Sequence, residues 1–192
     1  MSTCLATPTL DRLPAYVDAL ERGWSPDNIL GDAARRDILE RIRADAALFI
    51  ARQTNPQALG GPVTLPDGST AERLPGRTFW IFDGERPDSG FCGSINLRWR
   101  AGTAELPPHV LGHVGYAVVP WRRREGHATA ALRALLPHAR ALGLPWIWVT
   151  TDPDNVGSRK VIEGAGGVLI ESFTRAAAYG HSAAVRYRID LS

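Results

Sequence analysis

Gly115-Tyr116-Ala117-Val118-Val119-Pro120-Trp121-Arg122-Arg123-Arg124-Glu125-Gly126-His127-Ala128-Thr129 reads as the end of a strand, a tight turn and the start of a helix. The run from His113 to Val119 is rich in β-formers and stops at Pro120, which cannot donate to a sheet ladder. Beyond the turn, Leu132, Leu135, Leu136 and Ala139 form the apolar stripe of a helix. A helix that begins at about Gly126 presents N–H groups without intrahelical partners and the positive end of its dipole. Gly126 and Ala128 are small enough for a ligand to approach the backbone, and Arg122, Arg123 and Arg124 add positive charge. Together these features describe an anion site of the pyrophosphate kind. No Lys-Ser/Thr follows the glycine, so the segment is not a P-loop, and it lacks the three-glycine spacing of a dinucleotide fingerprint.

Working outward, Pro137 predicts a kink or early end in that helix, and Gly143 with Pro145 closes it. Trp146 to Thr150 is a strand, Asp152-Pro153-Asp154-Asn155 caps a short helix over Val156 to about Ala165, and Val168–Phe173 and Val185–Leu191 are the last strands. Upstream, Gly90–Trp99 and Thr78–Phe82 are strands, and Pro66-Asp67-Gly68-Ser69 is a turn after Val63-Thr64-Leu65. Residues Leu10 to Arg22, and Asp32 to about Arg52, carry apolar residues at helical spacing. The order predicts an α+β fold whose sheet is part antiparallel and part crossover-connected. It forms a single domain, with residues 1–60 a helical extension packed on a core of residues 61–192.

Composition narrows the function. The 192 residues are 44% hydrophobic and 22% charged, which excludes wholesale disorder, and no run is apolar for long enough to span a bilayer. Met1-Ser2-Thr3-Cys4-Leu5 lacks the basic start of a signal peptide, so a cytoplasmic location is expected. Cys4 and Cys92 do not make a disulfide framework. His109 and His113 are four apart, but Pro107-Pro108, Gly112 and Gly115 deny them a helix, so no metal site is expected. A net charge of +2 does not imply nucleic acid, and Trp121 is the one aromatic beside the arginines. Lys160 is the only lysine among 22 basic residues, so arginine dominates chain-wide and a single arginine is weak evidence for a role.

With both flanks in place, the chain resembles the GNAT N-acetyltransferase superfamily over residues 75–192. Arg123-Arg124-Glu125-Gly126-His127-Ala128 is similar to its pyrophosphate motif, Gln/Arg-x-x-Gly-x-Gly/Ala. Asn155-Val156-Gly157-Ser158, followed by Gly164-Ala165-Gly166 after one short helix, is similar to its second cofactor motif. Gly93-Ser94-Ile95-Asn96-Leu97-Arg98 and Gly112-His113-Val114-Gly115-Tyr116 further resemble a bacterial subgroup of predicted acetyltransferases, which residues 1–60 match only loosely. The resemblance implies a mostly antiparallel twisted sheet with a splayed pair of strands, flanked by helices. It implies direct transfer of an acetyl group from acetyl-CoA to a primary amine of a small molecule or peptide. Backbone groups around Val118 and Val119 would hold the pantetheine, and Arg123, Arg124, Gly126, His127, Ala128 and Thr129 the pyrophosphate. Asn155, Ser158 and Lys160 would complete the cofactor contacts. Members of the superfamily often pair through C-terminal strands, which leaves a homodimer open.

Many members carry a tyrosine as general acid where this chain has Ile162. Tyr116, Tyr179 and Ser158 are the alternative proton donors, and the absence also leaves open a non-catalytic acyl-CoA-binding protein. His113, with an unperturbed pKa near 6.5, is the candidate base, weighed against a packed histidine bonded to backbone. Glu105 is the second candidate base. Asn96 and Arg98 share one strand face and are candidates for holding the acceptor.

Overall fold

The computed structural model describes residues 2–85 and 90–191. The chain forms a mixed α+β fold, a mostly antiparallel sheet flanked by helices. It divides into two compact units that interleave along the sequence, one of residues 1–55, 77–96 and 116–131, the other of 56–76, 97–115 and 132–192.

The first unit holds strand β1 (Thr3–Ala6), helices α1 (Leu13–Glu21), α2 (Gly31–Ala44) and α3 (Ala46–Ala51), and strand β2 (Thr54–Asn55). Most of β5 (Gly76–Asp83) and β6 (Phe91–Arg98) also belongs to it, in the order β1-β5-β6. Strand β1 pairs antiparallel with β5, from Thr3 opposite Asp83 to Ala6 opposite Trp80. The extension of residues 1–60 is therefore not purely helical: its first residues are an edge strand, too short to show alternation in the sequence. The stretch read as one helix from Asp32 is two. Asp45 is extended, with φ of −161°, and its side chain accepts from the Leu48 N–H, so it ends one helix and caps the next. The core of this unit is aromatic. Tyr16 stacks on Trp80 at 4.8 Å and meets Trp24 and Phe91 edge-on.

The second unit begins with the hairpin β3 (Val63–Thr64) and β4 (Thr70–Ala71), turned at Asp67-Gly68 as the sequence predicts. It continues with the start of β7 (Val114–Val118), most of helix α4 (His127–Ala141), β8 (Trp146–Thr151), α5 (Val156–Gly164), β9 (Val168–Thr174) and β10 (Ala183–Asp190). Its strand order is β7-β8-β10-β9. The β7–β8 pair is parallel through the register pair Val114–Val149, and the other two pairs are antiparallel. Helix α4 does not stop at Pro137. The proline lies on the exposed side while Leu132, Leu135 and Ala139 are fully buried, so the missing N–H falls where carbonyls already tilt towards water. Trp146 and Trp148 pack on one sheet face with their rings tilted by 35°, the Arg188 and Arg186 guanidiniums over them. Among the described residues no helix is long and apolar enough to cross a membrane.

Candidate active site

Strand β7 has two edges, and its hydrogen bonds show how they are used. The Val119 N–H donates to Cys92 O at 2.9 Å, which turns that residue towards β6. Gly93 on β6 has φ of +147°, and a Cβ there would overlap the Ala117 carbonyl oxygen and come within 2.9 Å of Val118 Cα. Only glycine allows this approach. Because antiparallel partners alternate, the backbone groups of Tyr116 and Val118 point to the opposite edge. There the Tyr116 carbonyl accepts from the Asn28 side-chain amide at 2.9 Å, and the Val118 carbonyl accepts from Arg123 Nε at 3.2 Å. Such an edge can pair with an extended amide-bearing chain, which is what a pantetheine arm offers. Of the two residues expected to hold that arm, Val118 has its backbone on this edge and Val119 has its backbone turned to the other. Val119 is fully buried, its N–H is taken by Cys92 and its carbonyl by the Arg122 N–H.

The chain then turns through a short 3-10 helix, Pro120–Arg122, and passes Arg124 at φ +68° and Gly126 at φ +80° into α4. A Cβ at Gly126 would meet nothing within 4 Å, so the backbone lies open there. The first bond of the helix runs from the Ala130 N–H to Gly126 O, which leaves the N–H groups of His127, Ala128 and Thr129 ahead of it. Arg123 and Arg124 are exposed. An open left-handed glycine, first-turn N–H groups and two exposed guanidiniums fit a pyrophosphate.

Arg122 is not part of that outward surface. Its Nη2 donates to Asp83 Oδ2 at 2.6 Å, and its Nε lies 3.2 Å from Glu125 Oε2. The Glu85 N–H and this guanidinium hold the Asp83 carboxyl below the usual carboxylate range. The His127 ring is buried beneath the turn, with Nε2 3.3 Å from Glu125 Oε2 and Nδ1 2.9 Å from Thr3 Oγ1. What His127 offers a ligand is its backbone. Asp83, Thr3 and Asn28 carry no local sequence signal; each meets the site only through the fold.

In the second unit, Asn155 caps α5, its Oδ1 accepting from the Ser158 N–H at 2.9 Å. Asn155 and Lys160 are exposed and Ser158 is half-buried, so all three lie on the first turns of one helix as predicted. Ile162, in the usual tyrosine position, is fully buried, and a Cβ on Gly167 would overlap its Cγ2. The Tyr179 hydroxyl donates to His109 O at 2.7 Å.

His113 has the environment of the packed alternative. It is fully buried, and its Nδ1 accepts the Trp148 N–H at 2.9 Å, which leaves the neutral tautomer with hydrogen on Nε2. Burial pushes its pKa down to about 4; the Ala104 carbonyl offsets part of this and the Arg98 charge adds to it. Glu105 is exposed in the loop before β7, its N–H donating to Thr103 Oγ1. Asn96 and Arg98 are half-buried on β6.

A strand edge that runs into a helix start with unpaired first-turn N–H groups suits a transferase of the acyl-CoA type. The chain matches the acetyltransferase (GNAT) domain over residues 36–168 and belongs to that family, as an acetyl-CoA-dependent N-acetyltransferase. Solved structures share the fold. RimL, a ribosomal L7/L12 alpha-N-protein acetyltransferase in complex with coenzyme A, aligns with a TM-score of 0.60 at 13% identity, covering 100% of this chain and 97% of that one. The microcin C7 self-immunity acetyltransferase MccE, in complex with acetyl-CoA and AMP, gives 0.58 at 11% identity over 98% and 92%. A spermidine N-acetyltransferase SpeG chimera from Vibrio cholerae and hSSAT gives 0.60 at 13% identity over 100% and 96%. No curated protein matches the chain in sequence.

Proposed function

We propose that this acetyltransferase modifies a primary amine of a small molecule or peptide by direct attack in a ternary complex. When bound, acetyl-CoA supplies a thioester that an amine can attack without a covalent enzyme intermediate. The N–H groups of His127, Ala128 and Thr129, with Arg123 and Arg124, hold the pyrophosphate, and the outward backbone groups of Tyr116 and Val118 hold the pantetheine. The turned edge of β7 is the observation that carries this reading. Asn28, Asn96 and Arg98 are proposed to receive the acceptor, Asn28 because its amide already bonds the Tyr116 carbonyl on that edge. Asn155, Ser158 and Lys160 are proposed as cofactor contacts from their motif, with Ser158 and Tyr116 as candidate proton donors. Of the two candidate bases, Glu105 has the exposed carboxylate and is placed ahead of His113. Ribosomal-protein and spermidine acetylation by the structural neighbours is consistent with an amine acceptor. A cytoplasmic location, a homodimer and a catalytic core of residues 61–192 remain part of this proposal.

Two variants at one position provide the test. Gly126→Asn tolerates the left-handed backbone and keeps the site neutral, whereas Gly126→Asp places a carboxylate where the phosphates sit. Calorimetry should show CoA binding retained by the first and lost by the second. Equal binding by both overturns the assignment of the turn. CoA release from acetyl-CoA across a panel of small amines and peptide N-termini then identifies the acceptor class, and release with none of them rejects transfer to amines.

A further inference from the structure

We propose that Asp83, acting through Arg122, is a positioning residue that holds the anion-binding turn in its binding shape, and that Arg122 is not itself a phosphate ligand. This rests on the reading of residues 123–129 as the pyrophosphate site. Three observations carry it.

The first is where the Arg122 charge goes. The guanidinium lies between two carboxylates, 2.6 Å from Asp83 Oδ2 and 3.2 Å from Glu125 Oε2, with its side chain 21% exposed and that of Asp83 9%. Two carboxylates already share its single charge, so little remains for an incoming phosphate.

The second is what the clamp spans. Arg122 and Glu125 bracket Arg124, a non-glycine residue at φ +68°, and Gly126 follows at +80°. A left-handed arginine is strained and persists only where its surroundings over-determine it. The clamp supplies that determination. Asp83, at the end of β5, ties Arg122 down, and Arg122 ties Glu125. Glu125 and Thr3 then fix the ring of His127, the first residue of α4. The Glu85 N–H, donating to Asp83 Oδ1 at 3.1 Å, keeps the carboxylate aimed.

The third is sign. Asp83 and Glu125 are acidic groups beneath a site meant for an anion, where their charge alone opposes binding. A purely electrostatic account therefore predicts that removing the Asp83 charge tightens CoA. A positioning account predicts the reverse.

The experiment measures CoA dissociation constants by calorimetry on folded samples of wild type, Asp83→Asn, Arg122→Gln, the double variant and Glu125→Gln, with Gly126→Asp beside them. Each single loss should weaken CoA about tenfold, and the double variant should be no weaker than the worse single, because both break one clamp. A merely structural role would lower the melting temperature and leave CoA affinity per folded molecule unchanged. Tighter or unchanged CoA binding by Asp83→Asn, or additive losses in the double variant, overturns the proposal. If Asp83→Asn does not fold, Glu125→Gln carries the test, since that side chain is 30% exposed. Loss of binding by Gly126→Asp alongside normal binding by the clamp variants sinks the clamp and leaves the turn standing. Normal binding by Gly126→Asp sinks the turn itself.

Discussion

His113 shows how one residue's environment decides its chemistry. A base must shed and take protons near the working pH, and this imidazole is fully buried, with its pKa pushed down to about 4. In the unfolded chain it titrates near 6.5, so as pH falls the unfolded state takes the proton first. Its contribution to stability is complete above about pH 6.5 and drains away as pH falls towards 4, an effect of about 3 kcal/mol. In His113→Asn the side-chain oxygen can accept the Trp148 N–H without titrating. Melting temperatures measured from pH 7 to pH 4.5 should fall less steeply in that variant, with turnover per folded molecule near wild type. A loss of two or more orders of magnitude in turnover would restore His113 as the base. Ile162 gives a second residue-scale prediction. A tyrosine there must enter a filled core beside Gly167, so Ile162→Tyr should destabilise by about 1–3 kcal/mol and not raise turnover. A gain in CoA release would show that the site lacked only its acid.

At the scale of elements, two joints deserve comparison. Asp45 breaks a helical pattern that runs on by periodicity alone, and its cap to the Leu48 N–H can be read from the sequence only once the break is suspected. Asp45→Ala should lower stability by about 1 kcal/mol in chemical denaturation, and no change would mean that the break is held by packing instead. The β6–β7 joint is much less forgiving. Gly93 combines φ of +147° with contact against the Ala117 carbonyl, so Gly93→Ala forces apart the strands that turn Tyr116 and Val118 outward. The expected loss exceeds about 3 kcal/mol. A folded Gly93→Ala within about 1 kcal/mol of wild type would show that β7 has room to move.

Over the whole molecule, legibility in the sequence follows range. The turn at residues 123–128 and the Asn155 cap could be read because their chemistry is local: a small residue, a left-handed position, a side chain bonding three residues on. The partners beneath the turn could not. Asp83 and Thr3 come from β5 and β1, and only the paired strands bring them to Arg122 and His127. The same limit hid the burial of His113, because the backbone at Trp148 that closes over it comes from another strand: a Cβ on Gly112 would lie 3.0 Å from Trp148 O.

The cofactor footprint is a property of the whole chain and can be mapped in one measurement. Ligand that binds only the folded state stabilises it by mass action, about 2.7 kcal/mol at a hundredfold excess over the dissociation constant. Hydrogen exchange shows where that protection falls. With CoA added, the amides of His127, Ala128 and Thr129 and the outward-facing Val118 should slow, whereas Val119, already bonded to Cys92, should change only as the global stability does. The α5 motif is the open part of the map. If Asn155, Ser158 and Lys160 contact the cofactor, peptides covering residues 155–160 should gain protection beyond the global increment. Protection confined to 118–129 would remove those three residues from the site and leave recognition of the cofactor to the β7 edge and the turn.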